Sequence, residues 1–434
     1  MKDLVVSEKE AKHSQILELG LFDFRDPSGI SFIDRCKPLE ALIDENSKYG
    51  YFPLFRHHVT APAIHSTVIG WGGQRYEGLN FASQDYLGLS KHQTVIDAAI
   101  NACKLYGTHS AGSEPMGGGL GEAKQLEHEL ADFIEHEHVV LFPTGWGAGY
   151  GGIKALVRPY DYVVLDSLSH DCLQHGAKAS TSNVSYFAHN DLNSLIKRLE
   201  RIRNNHPDVA ILVVTESLFS MDSDHADLSK FVQICKQFNA YSLVDVAHDL
   251  GSIGIEGKGI LSEFGVLADV DFLIGSFSKT FACIGGFFAS HSKGVSYYVR
   301  AYSGSYTFSN YLIPFQVAAI RTALSIVRSS EGTLLRQQTL ANAELLRNHL
   351  QNNGLEVYGR ISPMILPAIG EERMARRAYK NCLENGLILN EIEYPACRRG
   401  AARFRLQVNP SHTEKDIKKA SEIITTSLRV VLNE

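Results

Sequence analysis

The chain has few cysteines for its length and no pattern that would pair them. Its seven cysteines are scattered over 434 residues, form no CxxC pair and are odd in number. Such a distribution is typical of reduced thiols inside cells, so we do not expect a disulfide framework. We also expect no metal site in this chain.

The sequence also lacks an excess of positive charge, a long apolar run and internal repeats. Its net charge of −6 gives no reason to expect a nucleic acid as partner. No run approaches the roughly 18 to 20 apolar residues that a membrane span requires. The first residues lack the apolar core of a signal peptide and are too acidic for a transit peptide. We therefore expect a cytoplasmic protein without a membrane span.

The length and the ordinary composition predict a globular protein with more than one lobe. The chain is 44% hydrophobic and 21% charged, and a chain of this length can bury a large core. The pattern changes near Thr67 and again after Pro314. We therefore predict an N-terminal arm (residues 1–66), a large domain (residues 67–315) and a small C-terminal α/β domain (residues 316–434).

Short apolar runs alternate with amphipathic stretches in the middle of the chain. The apolar runs are rich in β-branched and aromatic residues and cover residues 139–142, 162–166, 184–187, 211–215, 241–245 and 271–275. Helical spacing lies between them, at residues 123–135, 192–203 and 227–238. This alternation predicts a mainly parallel sheet with helices on both faces. In such sheets, ligands bind beyond the carboxyl ends of the strands.

Two of these runs lead into residues of opposite charge. Asp245 ends one run, and Lys279 follows the next run within a segment that also contains hydroxyl groups. A lysine can form a Schiff base with an aldehyde cofactor, and a carboxylate can keep a pyridine nitrogen protonated. Alone, Lys279 could equally be a solvated loop residue, and Asp245 could be a cap or a salt-bridge partner. Together, and with His248 nearby, they predict a site for pyridoxal 5'-phosphate.

The segments around these residues resemble the signature segments of the α-oxoamine synthases, which are fold-type I pyridoxal-phosphate enzymes. The resemblance rests on residues 245–248 (Asp-Val-Ala-His), residues 275–279 (Gly-Ser-Phe-Ser-Lys) and a Gly-Gly pair at residues 285–286. It covers about residues 80–412. The resemblance implies an α/β fold in which a mainly parallel seven-stranded sheet is sandwiched by helices, with a smaller C-terminal α/β domain.

The resemblance also implies roles for individual residues around the cofactor. Lys279 would carry the cofactor and later act as acid and base, and Asp245 would pair with the pyridine nitrogen. His170 would stack on the ring and polarise the incoming thioester carbonyl, and His248 would bond the phenolic oxygen. The remaining cofactor-binding residues would be Gly145, Trp146, Ser217, Ser276, Ser278, Ser309 and Asn310.

Two of these residues imply a partner subunit. Ser309 and Asn310 resemble the segment by which a neighbouring subunit reaches the cofactor phosphate, which implies a homodimer with shared active sites. Both could instead be ordinary turn residues. For the substrate, the resemblance implies that Arg403 binds the amino-acid carboxylate, because a planar guanidinium can hold that group bidentately. Arg56 is a second candidate for substrate contact, on a weaker motif.

The reaction implied by the resemblance is a decarboxylative Claisen-type condensation. An amino acid would react with an acyl thioester, either acyl-CoA or an acyl-carrier protein, to give an α-amino ketone. Other fold-type I chemistry, such as aminotransfer or carbon–carbon lysis, remains an alternative, as does a specialised synthase for a signalling or natural-product ketone. A non-catalytic partner subunit is a further alternative, against which the presence of Lys279, Asp245, His170 and His248 argues.

Three positions depart from the usual motifs of the family. Gln84 stands where an asparagine is usual, Glu114 where an arginine is usual, and Ala123 where a histidine is usual. The resemblance places these positions where the acyl donor and the partner subunit would approach. The amino acid and the acyl group therefore stay open at the level of the sequence.

Overall fold

A computed structural model describes Leu17 and residues 19–433, and its chain forms two compact units. The smaller unit contains the described residues up to Ser83, the short segment Met221–Ser223 and the described residues from Leu340 onwards. The larger unit contains Gln84–Ser220 and Asp224–Thr339. Among the described residues, no helix is long and apolar enough to cross a membrane.

The N-terminal part of the smaller unit contains one helix and three strands. These are α1 (Lys37–Lys48), β1 (His57–His58), β2 (His65–Ile69) and β3 (Arg75–Asn80). Strands β2 and β3 form an antiparallel pair around a glycine-rich turn. Gly73 has a φ of 84° in this turn, a conformation that L side chains rarely adopt.

The larger unit is built on a seven-stranded sheet, which confirms the fold predicted from the sequence. The strands of the sheet are β4 (His138–Phe142), β5 (Tyr162–Asp166), β6 (Val184–Phe187), β7 (Ile211–Glu216), β8 (Tyr241–Asp245), β9 (Phe272–Ser276) and β10 (Gly286–Ser290). Their order across the sheet is β4-β10-β9-β8-β7-β5-β6, and β10 alone of these seven runs opposite to the other six. Strand β10 follows β9 after a short turn without a helix, and such a connection makes an antiparallel pair.

Helices connect and follow these strands. They are α2 (Gln93–Tyr106), α3 (Gly121–Phe133), α4 (Gly145–Leu156), α5 (Asp171–Ser180), α6 (Leu192–Asn205), α7 (Leu228–Gln237), α8 (Ile260–Glu263), α9 (Lys293–Tyr302), α10 (Gly304–Thr307), α11 (Pro314–Val327) and α12 (Ser330–Asn352). All six residues of β7 are buried, as expected for a central strand covered on both faces.

Helix α4 lies close to the sheet because glycines form much of the face that packs against its neighbours. A Cβ atom added at Gly152 would lie 2.6 Å from the Phe288 ring, and one added at Gly149 would lie 2.5 Å from the Cys172 sulfur. Both distances are shorter than real Cβ contacts, so a larger side chain would push the helix away. The glycines therefore allow α4 to pack close to its neighbours, and this packing determines the position of the α4 N-terminus at the end of β4.

The C-terminal part of the smaller unit adds a second sheet and two long helices. The elements are β11 (Val357–Tyr358), β12 (Met364–Gly370), α13 (Glu372–Glu384), β13 (Leu387–Ile388), β14 (Asn390–Ile392), β15 (Ala402–Gln407) and α14 (Glu414–Leu432). Strands β11-β12-β15-β14 form an antiparallel sheet. Thr413 caps α14 through a reciprocal pair of hydrogen bonds with Asp416.

The division into units differs from the predicted boundaries after residues 66 and 315. Strand β13 pairs in parallel with β3, and the Leu79 N–H donates to the Gly386 carbonyl at 2.9 Å. This pairing places β1 to β3 with the C-terminal part of the chain. The three-part division into domains stays a prediction, since spatial compactness does not test it.

Candidate active site

Lys279 lies in a tight turn between β9 and β10. The Phe277 N–H donates to the Gly285 carbonyl at 2.9 Å, and the Cys283 N–H donates to the Phe277 carbonyl at 3.1 Å. Phe277 and Phe281, on either side of the lysine, are buried in the core. The buried rings and the backbone hydrogen bonds therefore hold the lysine at the end of β9.

The N-terminus of α4 and two serines after β9 form a polar, concave surface. Thr144 caps the helix, and its hydroxyl accepts a hydrogen bond from the Gly147 N–H at 2.9 Å. A Cβ atom at Gly145 would lie only 2.6 Å from the Ser276 hydroxyl oxygen. The hydroxyls of Ser276 and Ser278 are 2.6 Å apart. Backbone N–H groups and the helix dipole make such a place favourable for an anion.

Asp245 ends β8 and faces the same region. Its Oδ1 accepts a hydrogen bond from the Ala247 N–H at 2.9 Å. Burial raises the pKa of Asp245, while the nearby His170 and Lys279 act to lower it. A carboxylate held near these bases is a suitable partner for a protonated nitrogen.

His248 is buried three residues after Asp245. Its Nδ1 lies 2.8 Å from the Tyr86 hydroxyl, and the Tyr86 backbone carbonyl accepts a hydrogen bond from the Thr339 hydroxyl at 3.1 Å. These contacts lie within the larger unit and fix the orientation of the imidazole ring.

His170 caps α5 with its own side chain. Its Nδ1 accepts a hydrogen bond from the Cys172 N–H at 3.3 Å, and the Cys172 sulfur lies 3.1 Å away. The His170 N–H donates to Oε1 of Glu216 at 2.6 Å. Because Nδ1 accepts, a neutral imidazole carries its proton on Nε2.

Ser217 is fully buried and is held by a second buried carboxylate. Its hydroxyl is 2.7 Å from Oδ1 of Asp249, and Oδ2 of Asp249 accepts from the Ile260 N–H at 2.6 Å. Burial raises the pKa of Asp249 to about 7. Ser217 is therefore part of a buried network behind the end of β7.

Most of the predicted cofactor residues line one cavity of about 290 Å³ within the larger unit. The predicted residues that the structure brings together there are Gly145, Trp146, His170, Asp245, His248, Ser276, Ser278 and Lys279. Trp146 is about half exposed and stacks on Tyr150 with 5.1 Å between ring centroids. These residues bring an amine, the Asp245 carboxylate, two imidazoles and the anion-binding surface at the N-terminus of α4 into one cavity.

In the described part of the chain, three predicted cofactor residues lie outside the lining of this cavity. Ser217 is buried behind it, and Ser309 and Asn310 lie on the segment after α10. The Asn310 amide nitrogen is 3.3 Å from Nε2 of His109. Phe308, just before them, is 91% exposed. The predicted contact of Ser309 and Asn310 with a cofactor across a subunit boundary stays a prediction.

Glu114, one of the departures from the family motif, belongs to a cluster of charged side chains. Its carboxylate is 2.7 Å from the Lys124 amine, which is also 3.3 Å from Glu127. Arg300 lies 2.8 Å from Glu127, and the Tyr311 hydroxyl donates to the same carboxylate at 3.3 Å. The negative charge at position 114 is therefore balanced within the protein. The cluster also ties the loop before α3 to the segment that contains Ser309 and Asn310.

Arg403 and Arg405 lie on one face of β15 in the smaller unit, and the structure separates their environments. Arg403 is 5% exposed, and its guanidinium lies 2.6 Å from the Asp222 carboxylate and 2.9 Å from the Met221 carbonyl. Arg405 is partly exposed, and its Nε is 3.1 Å from the Gln407 side-chain oxygen once that amide is oriented to satisfy its neighbours. The carboxylate that Arg403 binds in this structure is thus one of the protein's own.

Arg56, the weaker substrate candidate, is also engaged within the smaller unit. Its guanidinium donates to the Tyr379 hydroxyl and, at 2.7 Å, to the Asn390 side-chain oxygen. Both substrate-binding assignments therefore stay predictions, and the contacts of Arg403 and Arg56 are structural.

Sequence reasoning did not assign a role to several residues at the site. Glu216, Thr144 and Cys172 line the cavity, and Asp249 holds Ser217 from behind. Glu216 could have been suspected, because it ends a buried strand directly before Ser217. Asp249 had no such signal, since its role depends on a contact with β7 that only the folded chain makes.

Comparisons with known proteins agree with this geometry. The family model of aminotransferase class I and II matches residues 76–424. A serine palmitoyltransferase of Bacteriovorax stolpii is 33% identical over 80% of this chain and 82% of the relative. An 8-amino-7-oxononanoate synthase of Geobacter sulfurreducens is 33% identical over 82% of this chain and 91% of the relative.

Solved structures show the same likeness. The structure of Sphingomonas wittichii serine palmitoyltransferase superimposes with a TM-score of 0.86 at 26% identity, covering 93% of this chain and 100% of the other. A structure of serine palmitoyltransferase described with its pyridoxal-phosphate internal aldimine also has a TM-score of 0.86 at 26% identity, over 93% and 99% of the two chains.

The fold and the cavity define a fold-type I pyridoxal-phosphate enzyme. The chain belongs to the aminotransferase class I and II family and, within it, to the α-oxoamine synthases. Its cofactor is pyridoxal 5'-phosphate. The residues fit this group, because the cavity places an amine, a carboxylate and an anion cradle together and leaves no room for a side chain at Gly145.

Asp249 should make the stability of the cofactor-free protein depend on pH. Its pKa is raised from 3.8 to about 7 in the folded protein, so the folded state binds its proton more tightly than the unfolded state. The resulting stability is fully present below about pH 4 and is lost as the pH rises through 7. In Asp249→Asn, the free energy of unfolding should fall less steeply over this range, by up to about 1.4 kcal/mol per pH unit.

Urea unfolding at a series of pH values measures this slope. The substitution of an exposed aspartate, Asp208→Asn, serves as the matched control and should leave the slope as in the unchanged protein. Equal slopes in the protein with and without Asp249→Asn would contradict the prediction.

Proposed function

We propose that this enzyme condenses an amino acid with an acyl thioester and releases carbon dioxide. One carbon–carbon bond forms between the amino-acid α-carbon and the acyl carbonyl carbon. The thiol leaves with a proton, and the carboxyl group of the amino acid leaves as carbon dioxide, which gives an α-amino ketone. The observation that carries this proposal is the cavity in which Lys279, Asp245 and His170 meet. The two relatives at 33% identity, a serine palmitoyltransferase and an 8-amino-7-oxononanoate synthase, catalyse chemistry of this kind.

Lys279 has two tasks in this proposal. When bound, pyridoxal phosphate supplies an aldehyde for amines and a ring that accepts the electron pair released at the substrate α-carbon. Lys279 holds the cofactor before substrate arrives and, once displaced, is a free amine that takes the α-proton. The buried turn around Lys279 keeps its amine within a small volume, which favours proton transfer.

Asp245 and the cradle at α4 hold the two ends of the cofactor. The Asp245 carboxylate would pair with the ring nitrogen and keep it protonated, which would preserve the ring as an electron acceptor. The N–H groups at Gly145 and Trp146, together with the hydroxyls of Ser276 and Ser278, would hold the phosphate. His248 would bond the phenolic oxygen, in a ring orientation that Tyr86 supports.

His170 is proposed to cover the cofactor ring. Because its Nδ1 accepts the Cys172 N–H, a neutral His170 presents an N–H donor at Nε2. That donor is suited to polarise the carbonyl of an incoming thioester, where negative charge develops during attack. The ring orientation rests on the backbone contact between His170 and Glu216.

A homodimer with shared active sites and a cytoplasmic location complete the proposal. Support for the dimer comes from the segment of Ser309 and Asn310, which the cluster around Glu114 holds next to an exposed Phe308. Support for the location comes from the seven cysteines, which are all free thiols in the described chain.

Lys279→Ala should remove the covalent attachment of the cofactor. In the unchanged protein, borohydride reduction should fix pyridoxal phosphate on the peptide that contains Lys279, as mass spectrometry can measure. The variant should show no such label and at least about a thousandfold less carbon dioxide release, because it lacks both the attachment and the proton acceptor. Lys258→Ala, at a half-buried lysine outside the cavity lining, is the control.

The measurement of carbon dioxide release also distinguishes the condensation from other reactions of this fold. Carbon dioxide should be released only when an amino acid and an acyl thioester are both present. Amino-group transfer to a keto acid without any thioester would instead make this protein an aminotransferase and would refute the proposal.

Replacing each arginine by lysine should distinguish the role of Arg403 from that of Arg405. Arg403 is buried in an ion pair with Asp222, whereas Arg405, on the same face of β15, is partly exposed, so we propose that Arg405 in place of Arg403 binds the substrate carboxylate. Arg405→Lys should raise KM for the amino acid roughly tenfold or more, since a lysine cannot bind a carboxylate bidentately. Arg403→Lys should mainly lower the free energy of unfolding, by roughly 1 to 3 kcal/mol. Steady-state kinetics and urea unfolding measure the two effects, and the reverse pattern would return the role to Arg403.

Mixing two inactive variants tests whether the active site is shared between subunits. The first variant is Lys279→Ala, and the second is the double variant Ser309→Ala and Asn310→Ala. If the segment acts across the interface, each mixed dimer has one intact site, so refolding an equal mixture should restore activity at about a quarter of the sites. No recovery in the mixture would show that the segment acts within its own subunit.

A further inference from the structure

Two carboxylic acids lie side by side at the carboxyl end of the sheet. Glu216 ends β7 and Asp245 ends β8, and the two residues are register partners in this parallel pair. Register partners on neighbouring strands point to the same face of a sheet, and the strands lie only about 4.8 Å apart. Glu216 is 4% exposed, so water screens the electrostatic interaction between the two carboxyl groups only weakly.

Glu216 also forms a hydrogen bond with the backbone of His170. Its Oε1 accepts from the His170 N–H at 2.6 Å. This contact joins the end of β7 to the residue that begins α5. The position of the His170 ring therefore depends on Glu216 as well as on the Cys172 N–H.

The charges around the pair differ between its two members. Asp245 is near His170 and Lys279, and both act to lower its pKa. Glu216 faces Asp245 and, from β5, Asp166, and both oppose a negative charge on it. The His170 N–H and Lys279 favour ionisation of Glu216, and Lys279 is the smallest of these influences. Of the two acids, Asp245 is the one placed to carry the negative charge.

We propose that Glu216 is a positioning residue that stays uncharged beside an ionised Asp245 and fixes His170 through its backbone N–H. Two acids at this separation and depth do not both ionise readily, and the first ionisation opposes the second. A neutral Glu216 leaves the full negative charge to Asp245, where the ring nitrogen of the cofactor needs it. The inference rests on the proposed function only for this last step, since the pair itself exists without a cofactor.

The pair has a direct consequence for the cofactor-free protein. Burial raises the pKa of Glu216 well above its usual value, Asp245 and Asp166 raise it further, and the His170 N–H and Lys279 offset this only in part. The folded state then holds this proton more tightly than the unfolded state. The stability that this proton contributes is fully present below the usual value of about 4.3 and is lost as the pH rises through the raised value.

The first experiment measures unfolding of the cofactor-free protein and of Glu216→Gln against pH. Glutamine keeps an oxygen for the His170 N–H and cannot ionise. Relative to the unchanged protein, the folding equilibrium constant of Glu216→Gln should increase with pH above about 4.3, by up to tenfold per pH unit. A ratio that stays constant from pH 4 to pH 8 would overturn the proposal. Other buried acids, such as Asp249, are present in both proteins and cancel in this ratio.

The second experiment compares cofactor affinity in Glu216→Gln and Glu216→Ala. Alanine leaves the buried His170 N–H without an acceptor, so the dissociation constant for pyridoxal phosphate should rise roughly tenfold or more. Glutamine should restore most of that loss, to within about threefold of the unchanged protein. Quenching of protein fluorescence during titration with pyridoxal phosphate measures both values. The exposed Glu200→Ala, on α6, is the matched control for loss of a carboxylate.

The outcomes separate this inference from the proposed function. If Glu216→Gln binds the cofactor as weakly as Glu216→Ala, a charged Glu216 is required and the inference is wrong. If the pH dependence and the rescue by glutamine hold but no thioester supports carbon dioxide release, the inference stands and the proposed reaction fails.

Discussion

The structure depends on holding acidic side chains together at the carboxyl ends of parallel strands with little water. Asp166, Glu216 and Asp245 end three strands of the sheet, and all three are acidic. Burying charge is costly unless a partner or a proton compensates it. His189 compensates Asp166 at 2.9 Å. Burial lowers the pKa of His189, but its bonds to Asp166 and Asp224 raise that pKa to about 10, so it stays positively charged there.

The scaffold around these charges is rigid for simple steric reasons. Glycines let α4 approach the sheet, and buried phenylalanines hold the turn of Lys279. A chemical group that must meet a substrate within a few tenths of an ångström needs such support, because each loose contact lowers the fraction of productive arrangements. Behind the cavity, Ser217 and Asp249 are polar yet fully buried, which their hydrogen bond to each other permits.

Ion pairs within the protein also balance charges outside the cavity, near Glu114 and in the smaller unit. Glu114 belongs to a cluster with Lys124, so its reversal of the usual family charge does not leave an isolated negative group. In the smaller unit, Asp222 neutralises Arg403 next to Arg405 on the same strand. In both places, an ion pair within the protein compensates a charged side chain. Residue type alone therefore does not identify a binding residue.

The sequence by itself determined the parallel sheet, the position of Lys279 after β9 and that of Asp245 at the end of β8. Apolar periodicity and strand ends are local properties, so they can be read from neighbouring residues. Only the tertiary structure decided that Glu216 lies beside Asp245, that β13 joins β3, and that Arg403 pairs with Asp222. These contacts join residues distant in the chain, and their energies depend on burial and on neighbouring charges that no local pattern records.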